Sequence, residues 1–167
     1  MIIMDSFIER MAAGWGVPAK KRVITRASRE LGNKKKGYVE NIERATLANN
    51  DFRHVVYTAK HTQLVLMSLN PGEDIGEEVH NNVDQFFRVE SGEGIVEINH
   101  VRHRIGPATA IIVPLGALHN VINTGKTDLR LYTLYAPPHH MDGIIRQTKA
   151  MANNPMIKES FNGKTTE

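Results

Sequence analysis

The sequence predicts an all-β domain, a sandwich or small barrel, preceded by a partly helical N-terminal arm. Two observations carry that reading. From residue 52 the chain breaks into eight short apolar-rich segments, each four to seven residues long. Turn-forming clusters separate them, at Asn70-Pro71-Gly72, Ser91-Gly92-Glu93-Gly94, Gly106-Pro107 and Asn123-Thr124-Gly125. Short strands at such spacing are the mark of two packed sheets or a closed barrel. With 167 residues, 41% of them apolar, the chain can bury a real core and reads as one main domain.

In order, Ser6 stands as the cap of a short helix, with Glu9 at the capping-box offset and Phe7, Ile8 and Met11 apolar. That helix ends by Gly14-Trp15-Gly16-Val17-Pro18. Residues 19–37 are basic and read as a surface segment. Asn41 to Asn50 predicts a further turn or two of helix, from the loose recurrence of Ile42, Ala45 and Leu47. The predicted strands are Arg53 to Thr58, Gln63 to Leu69, Glu77 to His80, Gln85 to Glu90, Gly94 to Ile98, Ala110 to Val113, Ala117 to Ile122 and Leu129 to Tyr135. After Pro137-Pro138 the chain turns polar, and from Asn153 it reads as frayed. The organisation is therefore an arm over residues 1–50, a barrel over 51–140 and a tail over 141–167.

The formal charge of +3 is local in origin. Residues 20–36 hold eight Lys and Arg against Glu30, so the rest of the chain is net acidic. Without interleaved aromatics or zinc-finger or helix-turn-helix spacing, this run argues against nucleic-acid binding and for a solvated or subunit-packed arm. There is no cysteine, which excludes thiolate ligands, a cysteine nucleophile and disulfides. The opening residues lack a signal-peptide pattern, and no run approaches the ~20 apolar residues of a membrane span. These features predict a cytoplasmic protein. Gln63 to Leu69 is apolar with little alternation, so one face of it needs cover from the arm or a second subunit; a homodimer is the expectation. Gly92-Glu93-Gly94 lacks the Lys-Ser/Thr ending of a phosphate loop and reads as a hairpin turn.

The chemistry concentrates in two places. Glu78 and His80 are two apart, so on an extended strand they share a face while Val79 points the other way; Gln85 follows four residues after His80. The second place is Pro114-Leu115-Gly116-Ala117-Leu118-His119. Two imidazoles, a carboxylate and a carboxamide can surround one divalent first-row ion and leave positions open for substrate. The alternative is that both histidines only pack and hydrogen-bond. His54, His61, His100 and His103 lie among polar residues near turns and read as solvated or structural. His139 and His140 reach the site as proton carriers only if the segment after Pro138 returns across the barrel mouth.

These two stretches resemble the motifs of the cupin superfamily, specifically its small single-domain mannose-6-phosphate isomerase-like members. The first motif runs Gly72, five residues, Glu78-x-His80, four residues, Gln85, six residues, Gly92, where the family usually has His-x-His and then Glu. In the second, Pro114, Gly116, His119 and Asn123 stand as expected, while Ala108 replaces the leading glycine and Gly106 is the expected source of flexibility. The resemblance covers residues 50 to 136. It implies a single jelly-roll barrel, the double-stranded β-helix, with Glu78, His80, Gln85 and His119 at the metal-ligand positions and Mn, Fe, Ni, Co or Zn as the ion. The implied function is a metal-dependent isomerase or epimerase of a small polar, carbohydrate-like molecule. An Fe(II) dioxygenase and a non-catalytic small-molecule sensor are the alternatives, since the fold alone does not select a reaction.

Overall fold

The computed structural model describes residues 37–157 and 159–166. The expectations for the Ser6 helix and the basic run lie outside them. Nine strands follow in chain order: β1 Arg53–Thr58, β2 Gln63–Leu69, β3 Asp84–Ser91, β4 Gly94–Ile98, β5 Val101–Ile105, β6 Ala110–Val113, β7 His119–Asn123, β8 Leu129–Ala136 and β9 Ile145–Arg146. Two short helices flank them, α1 Ile42–Ala48 and α2 Lys149–Ala152. All pairings are antiparallel, in a six-stranded sheet ordered β6-β3-β8-β2-β1-β9 and a three-stranded sheet ordered β5-β4-β7. The two sheets form a jelly roll.

The strands form where alternation serves the enclosed interior. Gln85, Phe87 and Val89 of β3 are buried on one face, as are Leu129, Leu131, Thr133 and Tyr135 of β8. β2 lacks alternation because it is central, and α1 lies over the same sheet against β8, β3 and β2. Asn41 caps α1, its Oδ1 accepting from the Arg44 amide at 2.9 Å. At the other end of α1, Arg130 of β8 donates to the Leu47 carbonyl and, at 2.8 Å, to Asn50 Oδ1. Thus α1 covers part of the face for which the sequence suggests an arm or a second subunit.

Several expectations need correction. β5 is not among the strands the sequence predicts, and Val101, Arg102, His103 and Arg104 are all exposed. It forms as the outer arm of a hairpin whose two turn residues, Asn99 and His100, both take positive φ (48° and 67°), the geometry that matches strand twist. Glu77 to His80 is not a strand. It runs beside β7 with isolated bridges at Asp74–Ile122 and Glu78–His119, and the Glu78 and His119 amides exchange hydrogen bonds with each other's carbonyls at 2.9 and 3.0 Å. Ala108 itself takes the left-handed conformation (φ 66°), with no positive φ at Gly106; its amide donates to the Val89 carbonyl at 2.8 Å.

The tail is ordered, not frayed. β9 pairs with β1, a bridge joins His140 to Ser160, and the Thr166 amide donates to the Thr58 carbonyl at 2.9 Å. Glu159 anchors it by accepting from Arg53 at 2.7 Å and Arg146 at 2.5 Å. No helix of the described residues is long and apolar enough to cross a membrane.

Candidate metal centre

Three elements bring the sequence-derived candidates together. The segment beside β7 supplies Glu78 and His80, β3 supplies Gln85 and β7 supplies His119. One ligand atom each from Glu78, His80 and His119 lies within 4.8 Å of the other two. His80 Nε2 is 3.3 Å from Glu78 Oε2, and His119 Nε2 is 3.0 Å from Gln85 Oε1. His80, Gln85 and His119 are buried, while the Glu78 side chain keeps 25% exposure.

His119 makes the strongest case that this cluster accommodates a cation. Its Nδ1 lies 3.1 Å from the Ala117 carbonyl and its Nε2 faces the Gln85 carboxamide oxygen. With the Gln85 carboxamide oxygen turned toward it, a neutral ring has one N–H for these two acceptors, so either tautomer opposes one lone pair to another. The imidazolium would satisfy both, but burial lowers the pKa of His119 despite the opposing help of the Ala117 carbonyl and Glu78. A metal ion at Nε2 would resolve the conflict, with Nδ1–H held by the Ala117 carbonyl as an outer partner. His80 Nε2 is likewise buried without a hydrogen-bond partner, its 3.3 Å approach to Glu78 being close but poorly directed. Separations of 3.0 and 3.3 Å suit donors sharing one ion at bonds of about 2.1 Å. Burial acts most strongly on Glu78 and opposes ionisation, but contact with His80 and the charges of His80, Arg53 and His119 outweigh it, so its pKa falls.

Around the cluster stand groups that sequence reading did not find or did not place. Gln85 Nε2 donates to Thr133 at 3.1 Å. His139 lies with its ring centre 4.3 Å from that of His80 and stacks on Tyr135 at 5.5 Å, while His140 meets Tyr135 edge-on at 5.0 Å. The segment after Pro138 does return to the site. Gln63, fully buried on β2, holds it there: its Oε1 accepts from the His139 and His140 amides, and its Nε2 donates to the His140 carbonyl and Thr58. Burial raises the Tyr135 pKa and brings that of His139 down to about 4. His61, His100 and His103 are exposed, and His54 is half-buried 3.8 Å from Asp51.

His140 leads to a pH prediction. Burial, followed by the charge of Arg53, puts its pKa well below the ordinary 6.5. The folded state therefore resists a proton that the unfolded chain accepts, and this contribution to stability is complete above pH 6.5 and lost as pH falls. Urea unfolding of metal-stripped protein should show stability falling below pH 6.5 by up to about 1.4 kcal/mol per unit from this group. His140→Gln should reduce that slope between pH 6.5 and 5 while the part due to His139 remains, and an unchanged slope would contradict the assignment.

An antiparallel jelly roll with imidazole, carboxylate and carboxamide groups gathered inside it defines a barrel of the cupin type. Residues 65–135 match the family described as Cupin domain, and the chain belongs to the cupin superfamily. It is 51% identical over 123 residues to the uncharacterized protein YrkC of Bacillus subtilis (strain 168), covering 70% of this chain and 66%, just under two thirds, of that relative's length. It is 40% identical over 119 residues to the uncharacterized protein L612 of Acanthamoeba polyphaga mimivirus, covering 69% of this chain and 74% of the relative. The crystal structure of BH2720 from Bacillus halodurans is similar with a TM-score of 0.69 at 43% identity, covering 72% of this chain and 96% of that one.

Proposed function

We propose that this cupin holds one divalent first-row metal through Glu78, His80, Gln85 and His119, and catalyses proton transfer on a small polar substrate, as an isomerase or epimerase does. The observation that carries the reaction class is the placement of His139, a ring that is no part of the ligand set yet lies against His80 and Tyr135. When bound, the metal would supply an electrophile that polarises a substrate carbonyl and steadies the negative charge left on deprotonation. His139 takes the proton from the carbon beside that carbonyl and returns it on the same face to the neighbouring carbon, while the hydroxyl proton passes to the former carbonyl oxygen. Tyr135, buried and held protonated, orients the ring by stacking. Glu78, as a ligand, is not the base. Incubation with a panel of hydroxy-carbonyl compounds in deuterated water should show exchange at that carbon. His139→Phe should slow it at least about 100-fold with metal content unchanged. Exchange unaffected by that substitution would remove His139 from the mechanism.

One observation favours a second reading. Two histidines and one carboxylate around open positions are the donor set of non-haem Fe(II) oxygenases. Oxygen uptake that depends on added Fe(II) and an oxidisable diol or thiol substrate would select this reading, because an isomerase consumes no oxygen.

A further inference from the structure

Arg53 is unusual for a buried arginine. It alternates with Val55 on the interior face of β1 and is 6% exposed. Glu159 pairs with one terminal nitrogen at 2.7 Å, yet also serves Arg146, so one carboxylate stands between two guanidiniums. Among the described residues, Arg53 Nε has no hydrogen-bond partner although it is buried. His140 Nε2, on a ring 5% exposed, is in the same condition. A buried N–H such as that of Arg53 is rarely left unpaired, and in its Nε2–H tautomer His140 adds a second donor that needs an acceptor. The two side chains belong to one neighbourhood. The tail segment that carries Glu159 bridges His140 through Ser160, and the Met141 amide donates to the Glu159 carbonyl at 2.7 Å. The Arg53 charge also acts on His140, Glu78, Tyr135 and His139, which ties it to the centre.

We propose that Arg53 and His140 form an anion subsite beside the metal centre, and that the substrate carries a carboxylate. This rests on the proposed function for the word substrate, but the subsite itself does not need the metal. A carboxylate suits the donors better than a phosphate. Arg53 Nε–H and an Nε2–H on His140 offer one hydrogen bond to each of two oxygens, whereas a phosphate dianion calls for more converging cations than one half-neutralised guanidinium. The carboxylate would supply the missing acceptor for both donors and balance the charge that Glu159 leaves over.

Calorimetric titration with glycolate and pyruvate, their neutral amides, and inorganic phosphate tests this on metal-loaded and on chelator-stripped protein. Each acid is expected to bind at least about tenfold more tightly than its amide in both forms, and more tightly than phosphate. Arg53→Gln should erase the preference for acid over amide. Because that change also breaks the Glu159 pair, His140→Phe serves as the second variant, leaving the pair intact and reducing the preference severalfold. Equal binding of acid and amide, a preference seen only with metal present, tighter phosphate binding, or folded variants of both kinds with wild-type preference would overturn the subsite. Failure of the metal assay with the preference intact in stripped protein would instead count against the proposed function alone.

Discussion

Protein carrying His119→Ala is expected to retain less than about a tenth of the metal found in the wild type when both are purified without chelator or a nickel column. The wild type should hold close to one Mn, Fe, Ni, Co or Zn per chain by elemental analysis. In the proposed set His119 would contribute Nε2 from a ring 1% exposed, held in place by the contact of its Nδ1 with the Ala117 carbonyl. Disturbing only an outer partner of a ligand commonly costs 10–100-fold in affinity, and removing the ligand should cost at least about 100-fold. His80→Ala should behave alike, since its Nε2 is buried with no partner to be lost. His103→Ala, on the exposed strand β5, is the matched control and should keep full metal. Far-UV circular dichroism should be nearly unchanged in all three, because the sheet hydrogen bonds run through backbone. Full metal content in both His80→Ala and His119→Ala would sink the proposed ligand set.

Gln63→Leu should produce the largest loss of stability. The carboxamide is fully buried and makes four hydrogen bonds: it accepts from the His139 and His140 amides at 3.2 and 2.9 Å, and donates to the His140 carbonyl at 2.7 Å and Thr58 at 2.9 Å. Leucine is close in size but leaves two backbone N–H groups and a carbonyl without partners in the interior. At 1–3 kcal/mol for each such group, with relaxation recovering part, the expected loss is about 3–5 kcal/mol. In urea this lowers the midpoint by about 2 M. Gln63→Glu, which when protonated keeps an acceptor oxygen for the two amides and offers one O–H in place of the Nε2 donor, should lose less. A shift under about 1 kcal/mol would mean that water replaces the carboxamide and that the His139–His140 segment is held by other contacts. Metal content should survive Gln63→Leu, whereas exchange dependent on His139 should fall with it.

The fold was largely legible because strands of this chain announce themselves in short apolar runs between turn residues. β1, β2, β4 and β6 begin and end where the pattern predicts, and β3, β7 and β8 differ by one or two residues. The failures share a cause. β5 is exposed over its first four residues since it lies at a sheet edge, and its turn is closed by Asn99 and His100 without a glycine. Glu77 to His80 keeps the two-residue offset that brings Glu78 and His80 to the same place, yet bridges β7 at too few positions to be a strand. The polar tail shows no periodicity, and its order comes from Glu159 and from backbone pairing with residues far away in sequence.

For the site, the sequence by itself determined which residue types stand at short, repeatable offsets: Glu78, His80 and Gln85 in one segment, His119 in another. Such offsets are readable because neighbours along a chain are held at known spacing by covalent geometry. Only the tertiary structure decided that His139 and His140 turn back onto Tyr135, that Gln63 pins them there, and that Arg53 lies buried beside them with Glu159. Each of those contacts except that between Tyr135 and the two histidines joins residues more than seventy positions apart. They depend on which strands become neighbours in the sheet, a choice made by the burial of the whole core and written in no single segment.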